Sequence, residues 1–259
     1  MTRGWMAAGL AVMTLAAGSI EGTDLGDFLV GTAGEDQVLA KGGGDTVFGL
    51  GGADRINGGP GNDRIQGDGT CEAGAVRPEQ CTDDDDRSGG DDTLRGGDGD
   101  DVLLGGRGND LVDGGPGVDS LSGDSGNDEI LGGEGDDEID GGTGIDKIDA
   151  GDGDDWIATG PGSDTIKAGA GDDMIATETG NDPIDGGTGD DEISSGGGND
   201  RITPGTGRDK VESGAGADTI NARDGERDVI DCGPGNDTVY ADTRDKLTHC
   251  EHVKHHSRG

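Results

Sequence analysis

The sequence predicts an all-β repeat protein, and three observations carry that prediction. Aspartate recurs every nine residues, and an aliphatic residue follows each of these aspartates by two. Glycine, at 59 of 259 residues, is too abundant for helices, while an apolar fraction of 28% is too small for an ordinary core. Self-similarity at a short fixed period marks a solenoid, in which stacked turns share one core. A solvated Gly/Asp-rich linker has no reason to hold such a phase.

In chain order, the first element is Trp5–Ile20, sixteen uncharged residues after Arg3, with Ala16-Ala17-Gly18 as a small-residue cleavage site. It is shorter than the roughly 20 apolar residues of a membrane span. Residues 1–18 therefore read as a signal peptide and the chain as secreted, with no membrane span. The first run of repeats, residues 22–66, places Asp27, Asp36, Asp45, Asp54 and Asp63 nine apart. Residues 67–91 interrupt it with an acidic insertion that holds Cys71, Cys81 and Asp83-Asp84-Asp85-Asp86. That acidic run reads as a solvated loop, with an extra metal site as the alternative. Asp63 to Asp92 is 29 residues, three periods plus two, so a broken or bulged solenoid is expected here. The main run, residues 92–240, carries Asp92, Asp101, Asp110, Asp119, Asp128, Asp137, Asp146, Asp155, Asp164, Asp173, Asp182, Asp191, Asp200, Asp209 and Asp218, then Asp228 and Asp237 after a ten-residue step.

The underlying unit is G-G-x-G-x-D-x-U-x with U aliphatic, seen most cleanly in GGPGNDRIQ at 58, GGRGNDLVD at 105, GGEGDDEID at 132 and GGTGDDEIS at 186. It resembles the RTX, or haemolysin-type, calcium-binding nonapeptide over roughly residues 22–240. The resemblance implies a parallel β-roll, a right-handed β-solenoid with two nonapeptide repeats per coil. The x-U-x triplets are then the strands, and calcium lies between loops 18 residues apart. It implies as metal ligands the twenty aspartates from Asp27 to Asp218 named above. The ending CGPGNDTVYADTRDKLTHCEHV, residues 232–253, resembles that of secreted actinobacterial repeat proteins of this type. Residues 241–259 are accordingly expected to form a disulfide-linked cap and a basic tail. Many members of the family leave the cell through an uncleaved C-terminal signal, whereas this chain carries an N-terminal one.

The spacing suits the ion. Three glycines in six residues open backbone conformations closed to residues with a Cβ, and the frequent Asn or Asp before the aspartate tolerates the same turns. Such a turn aims several carbonyl oxygens to one side and adds a carboxylate. Calcium takes six to eight oxygens, so two turns are needed per ion. Pairing aspartates 18 apart gives sixteen bridged sites as an upper count. Their positive charge would offset most of the net −38 that 57 acidic and 19 basic residues produce. A chain so self-repelling is expected to fold by binding metal. Glu129 should then lie beside Lys147 and Glu192 beside Lys210, with the residues flanking U facing water.

Local weak points are Glu178 in place of a glycine, Pro183 at a strand start, Arg87-Ser88 and Arg223-Asp224. The four cysteines allow three pairings. Local closure, Cys71–Cys81 and Cys232–Cys250, is expected; a zinc site is the alternative, without C-x-x-C spacing to support it.

No stretch is long enough for a catalytic domain. All four histidines lie within the last eleven residues, and no G-x-S-x-G or H-E-x-x-H pattern occurs. An enzyme is not expected, and the negative charge argues against nucleic-acid binding. Ranks of Thr and Asn suited to ice are too broken. Trp156 and Met174, 18 apart, are expected as outward neighbours. The sequence thus predicts a secreted monomer that folds on binding multiple calcium ions, with a surface or matrix adhesion protein as the alternative. It names no protein or cell-surface partner.

Overall fold

The computed structural model describes residues 12–14, 19–71, 81–82 and 89–255. Most of the expected signal segment, the run Asp83–Asp86, the tail beyond His255 and the side chains of Cys71 and Cys81 lie outside what is described.

Successive strands alternate between two sheets, so each strand pairs in parallel with the next but one. Among the described residues each sheet has thirteen strands. The first runs from Val12–Thr14 and Phe28–Val30 to Lys246–Thr248, the second from Ser19–Glu21 and Gln37–Leu39 to His252–His255. The register step is two repeats: Val112 pairs with Ile130, Leu121 with Ile139 and Ile130 with Ile148. This is a parallel β-roll. Along each strand one aliphatic residue points inward, giving the exposed–buried–exposed pattern of Glu138–Asp140 or Lys210–Glu212. From Ile20 to Val239 these residues are 0–4% exposed and form one continuous core between the sheets. One apolar side chain per repeat suffices because its neighbours above, below and across supply the rest of the contact.

The register places Glu129 beside Lys147 and Glu192 beside Lys210, and both pairs form exposed salt bridges. Arg64, Glu138, Lys147, Glu192 and Arg201 face water, while Asp149 is half-buried. The N-terminal end departs from the expected pattern. Phe28, Val30 and Phe48 occupy outward positions yet are 1–4% exposed, and with Leu50 they form a second apolar cluster. The two phenylalanine rings meet edge to face at 6.0 Å.

The expected break at residues 67–91 does not occur. Arg55–Asn57 pairs directly with Thr93–Arg95, and Arg64–Asp68 with Val102–Arg107. The step there is 38 residues, not 18, as in Ile56↔Leu94 and Ile65↔Leu103. Twenty residues are therefore inserted within a single loop after Asp68, and Gly67-Asp68 joined to Gly89-Gly90-Asp91-Asp92 restores one ordinary repeat. The 29-residue interval is one period plus twenty, not three plus two. At the start of the insertion Thr70–Cys71 pairs antiparallel with Cys81–Thr82, Cys71 opposite Cys81.

At the C-terminus Lys246–Thr248 and His252–His255 add one more strand to each sheet, beyond the last recognisable repeat. Cys232 and Cys250 are joined by a disulfide, Cα–Cα 5.2 Å, and both pack against the end of the core. Pro183 opens its strand, where the missing N–H costs one ladder bond and no more.

Candidate functional site

Loops joining the sheets line the two edges of the roll. The first edge is formed by those ending at Asp27, Asp45, Asp63, Asp101 and onward to Asp228. The second edge ends at Asp36, Asp54, Asp92, Asp110 and onward to Asp237. Each of these aspartates is 0–2% exposed.

Their burial has a specific geometry. After Asp27 and Asp36, which open the two rows, Oδ1 of each accepts the backbone N–H of the aspartate one coil earlier: Asp110 from Asp92, Asp128 from Asp110, Asp137 from Asp119. Twenty such rungs, ten on each edge, measure 2.7–3.0 Å. Two of them, Asp54–Asp92 and Asp63–Asp101, span the insertion, and two, Asp209–Asp228 and Asp218–Asp237, span 19 residues. None of these four has the 18-residue spacing of the others. The series also continues past the repeats: Asp245 accepts the N–H of Asp228 and Glu251 that of Asp237. Neither was legible, because the intervals shrink to 17 and 14 residues and the glycines are gone.

The second oxygen is what marks these residues as a site. Among the described residues, Oδ2 of most repeat aspartates, including Asp63, Asp92, Asp119, Asp137 and Asp155, is buried with no hydrogen-bond partner. Buried polar atoms are almost always paired, so columns of orphans call for an unseen partner. The space beside them is kept open by glycine. A Cβ on Gly105 would stand 2.6 Å from Asp110 Oδ2 and 3.0 Å from the Gly123 carbonyl oxygen of the next coil. Carboxylate and carbonyl oxygens thus converge on one small cradle. No three His, Cys, Asp or Glu side chains cluster as a metal site among the described residues. The oxygen set is therefore one carboxylate per turn plus main-chain carbonyls, the hard-donor mixture that calcium takes.

Electrostatics point the same way. Burial, opposed by the N–H rung and reinforced by neighbouring carboxylates, pushes Asp92 up to about 8 and Asp101, Asp110, Asp128 and Asp191 up to about 7. Rows of like charges a coil apart hold protons unless a cation replaces them.

A further ladder lies outside the first and runs the opposite way. In much of the main run the residue before the aspartate offers its side-chain oxygen to the N–H one coil later: Asp91 to Asn109, Asn109 to Asn127, Asn127 to Ile145, and Asp136 to Asp154 to Asp172 to Asp190 to Arg208. Asn and Asp are frequent there because they bind the next coil, not because they bond locally. Where Ile145 or Ala217 fills the slot, the ladder ends.

Fold and edge geometry together define the class: a parallel β-solenoid with rows of buried carboxylates along two edges. The family described as RTX calcium-binding nonapeptide repeat (4 copies) matches residues 21–56, 39–69, 87–121, 113–148, 149–182, 177–211 and 213–243. The chain belongs to this family, whose repeats bind calcium. No curated protein matches it. No helix among the described residues is long and apolar enough to cross a membrane.

Proposed function

We propose that this protein is secreted and that calcium binding and folding are one equilibrium: the chain is largely unfolded without the ion and forms the roll with it. The observation that carries this reading is the orphaned Oδ2 column. Burying so many carboxylates, most of them with one oxygen satisfied and one not, costs far more than a one-residue-per-repeat core returns, unless cations sit beside them. As ligands we assign Asp27, Asp36, Asp45, Asp54, Asp63, and each ninth residue from Asp92 to Asp218. Asp228, Asp237, Asp245 and Glu251 are added by the rungs they make. Extracellular calcium sites bind at about 10⁻⁴–10⁻³ M, which makes export itself the switch. We read residues 1–18 as the export signal and the folded product as a monomer.

A catalytic role is not part of this reading. The carboxylates are spread one per loop along rows, whereas acid–base chemistry needs a converging pair. Trp156 and Met174 do pair as exposed neighbours, but two side chains make too small a face to favour the adhesion alternative.

Isothermal titration with CaCl₂ and, in parallel, MgCl₂ tests the assignment. Many calcium ions per chain should bind in the sub-millimolar range. Magnesium, which demands near-ideal octahedral geometry and keeps its waters, should compete poorly. Equal response to both ions would contradict it.

A further inference from the structure

The first loop of each row differs from the loops that follow it, and threonine makes the difference. Four residues before the aspartate stand Thr23 and Thr32, where the next loops have Lys41, Leu50 and Gly59. Thr23 donates both its backbone N–H and its hydroxyl to Asp27 Oδ2, at 2.5 and 2.9 Å. Thr32 does the same to Asp36 Oδ2, at 2.6 and 2.9 Å. Each hydroxyl has one hydrogen, and the carboxylate lies nearer to it than the Leu25 and Gly34 carbonyls at 3.3 and 3.2 Å. Each also accepts an N–H from two residues on, Leu25 at 3.2 Å and Gly34 at 3.3 Å, which fixes its direction.

The backbone differs as well. Lys41, Leu50 and Gly59 have φ of 86°, 89° and 99°, whereas neither threonine is left-handed. From the left-handed turn this N–H reaches the next coil: Gly59 donates to the Gly96 carbonyl at 2.8 Å and Gly97 to that of Gly114 at 2.9 Å. At Thr23 and Thr32 it turns back onto the carboxylate of its own loop. The consequence falls on the oxygen that faces the cradle. Oδ2 of Asp45, Asp54 and Asp63 is buried without a partner, whereas that of Asp27 and Asp36 has two donors. Asp27 keeps one unpartnered oxygen, Oδ1, because it opens its row. The far end of the first edge is closed in a similar way without a threonine, the Asp242 N–H lying 2.6 Å from Asp245 Oδ2.

We propose that Thr23 and Thr32 stand in for calcium at the head of each row, so that the first coil closes without an ion of its own and is the template for the calcium-dependent coils behind it. The proposal rests on the reading of the aspartate rows as ion sites. Two donors on one carboxylate oxygen meet the need that a cation meets in the later loops. In a solenoid each coil leans on its neighbours, so the end coil has most use for a closure of its own. Asp27 and Asp36 remain in the ligand rows, but an ion there has to displace two donors, so their sites fill last.

The test is the calcium midpoint of folding of the full chain, read by circular dichroism, for two charge-removing pairs one coil apart. D45N with D54N removes the charge where Oδ2 is orphaned, and should raise the midpoint. D27N with D36N keeps an oxygen for the threonine donors, and should leave the midpoint at the wild-type value. In a T23G/T32G background, which gives both loops the glycine of the repeat, D27N with D36N should raise the midpoint. In a T23S/T32S background, which keeps the hydroxyl, it should again have no effect. A rise for D27N with D36N in the wild-type chain, or no rise in the glycine background, overturns the proposal. No rise for D45N with D54N instead contradicts the underlying reading of the rows, so the two failures are distinct.

Discussion

At the scale of the residue, each repeat aspartate performs two tasks with its two oxygens. Oδ1 ties a coil to the one before it, and Oδ2 faces the glycine-lined cradle. Substitution separates them. Asp128→Asn keeps an acceptor for the Asp110 N–H but removes the charge, so the calcium midpoint should rise while the apo chain is little affected. Asp128→Ala also leaves that buried N–H unpaired, a further loss of about 1–3 kcal/mol. Comparing calcium midpoints and melting curves of the two variants checks this. Protons bear on the same atoms. In the metal-free roll, Asp92, Asp110 and Asp128 are pushed up to about 8, 7 and 7, chiefly by burial, against about 3.9 when unfolded. Between those values the folded form binds more protons than the unfolded one, so its stability is greatest at acid pH and is lost as pH rises through about 7 to 8. In EGTA, β-structure should therefore be greater near pH 5 than near pH 8, and calcium uptake should release protons. A greater β signal at the higher pH would contradict the raised values. The residue four before the aspartate is also constrained: at most repeats it has positive φ, including Lys41, Leu50 and Asp124, which are not glycine. Lys41→Gly should raise the melting temperature, since left-handed geometry costs an L-residue about 1–2 kcal/mol. Gly133→Ala should lower it, because a Cβ there runs into the Gly115 carbonyl.

At the scale of the element, the coil is held by repetition more than by any single contact. Each inward aliphatic touches only its column and the facing sheet, so damage should remain local in contacts yet be felt in stability. Ile139→Ala, in the middle of the core, is expected to cost about 2–5 kcal/mol and to raise the calcium needed for half-folding. Most of this level was legible beforehand. A nine-residue period with one aliphatic per period dictates strand, inward face and 18-residue register, and the Glu129–Lys147 and Glu192–Lys210 pairs follow from arithmetic. What escaped had physical reasons. The outer Asn/Asp ladder is a long-range bond that local turn chemistry does not announce. The buried Phe28–Phe48 cluster breaks the alternation rule at one end. Nothing in the nonapeptide pattern announces that the hydroxyls of Thr177, Ser195 and Ser213 each reach the carbonyl of the next coil. Asp245 and Glu251 fell out of phase because the closing loops shorten.

At the scale of the whole molecule, the roll tolerates an insertion because sheets are joined coil to coil and not through the loop. Twenty residues after Asp68 leave the pairing of Ile56 with Leu94 and Ile65 with Leu103 intact. Deleting residues 69–88 should therefore preserve the calcium-dependent fold, and a chain that no longer responds to calcium would show that the insertion is structural. The net charge of −38 acts at this scale too. If ions bound in rows along two edges neutralise it, as proposed, folding should be steep in calcium, because each site would join two coils and each coil would present the next site. The most direct measurement is a far-ultraviolet circular dichroism titration of the protein with CaCl₂, reversed with EGTA and repeated with MgCl₂. The account predicts a disordered spectrum that turns to β-structure steeply and reversibly with calcium and not with magnesium. A β spectrum indifferent to calcium, or a chain that stays disordered at millimolar calcium, would contradict it.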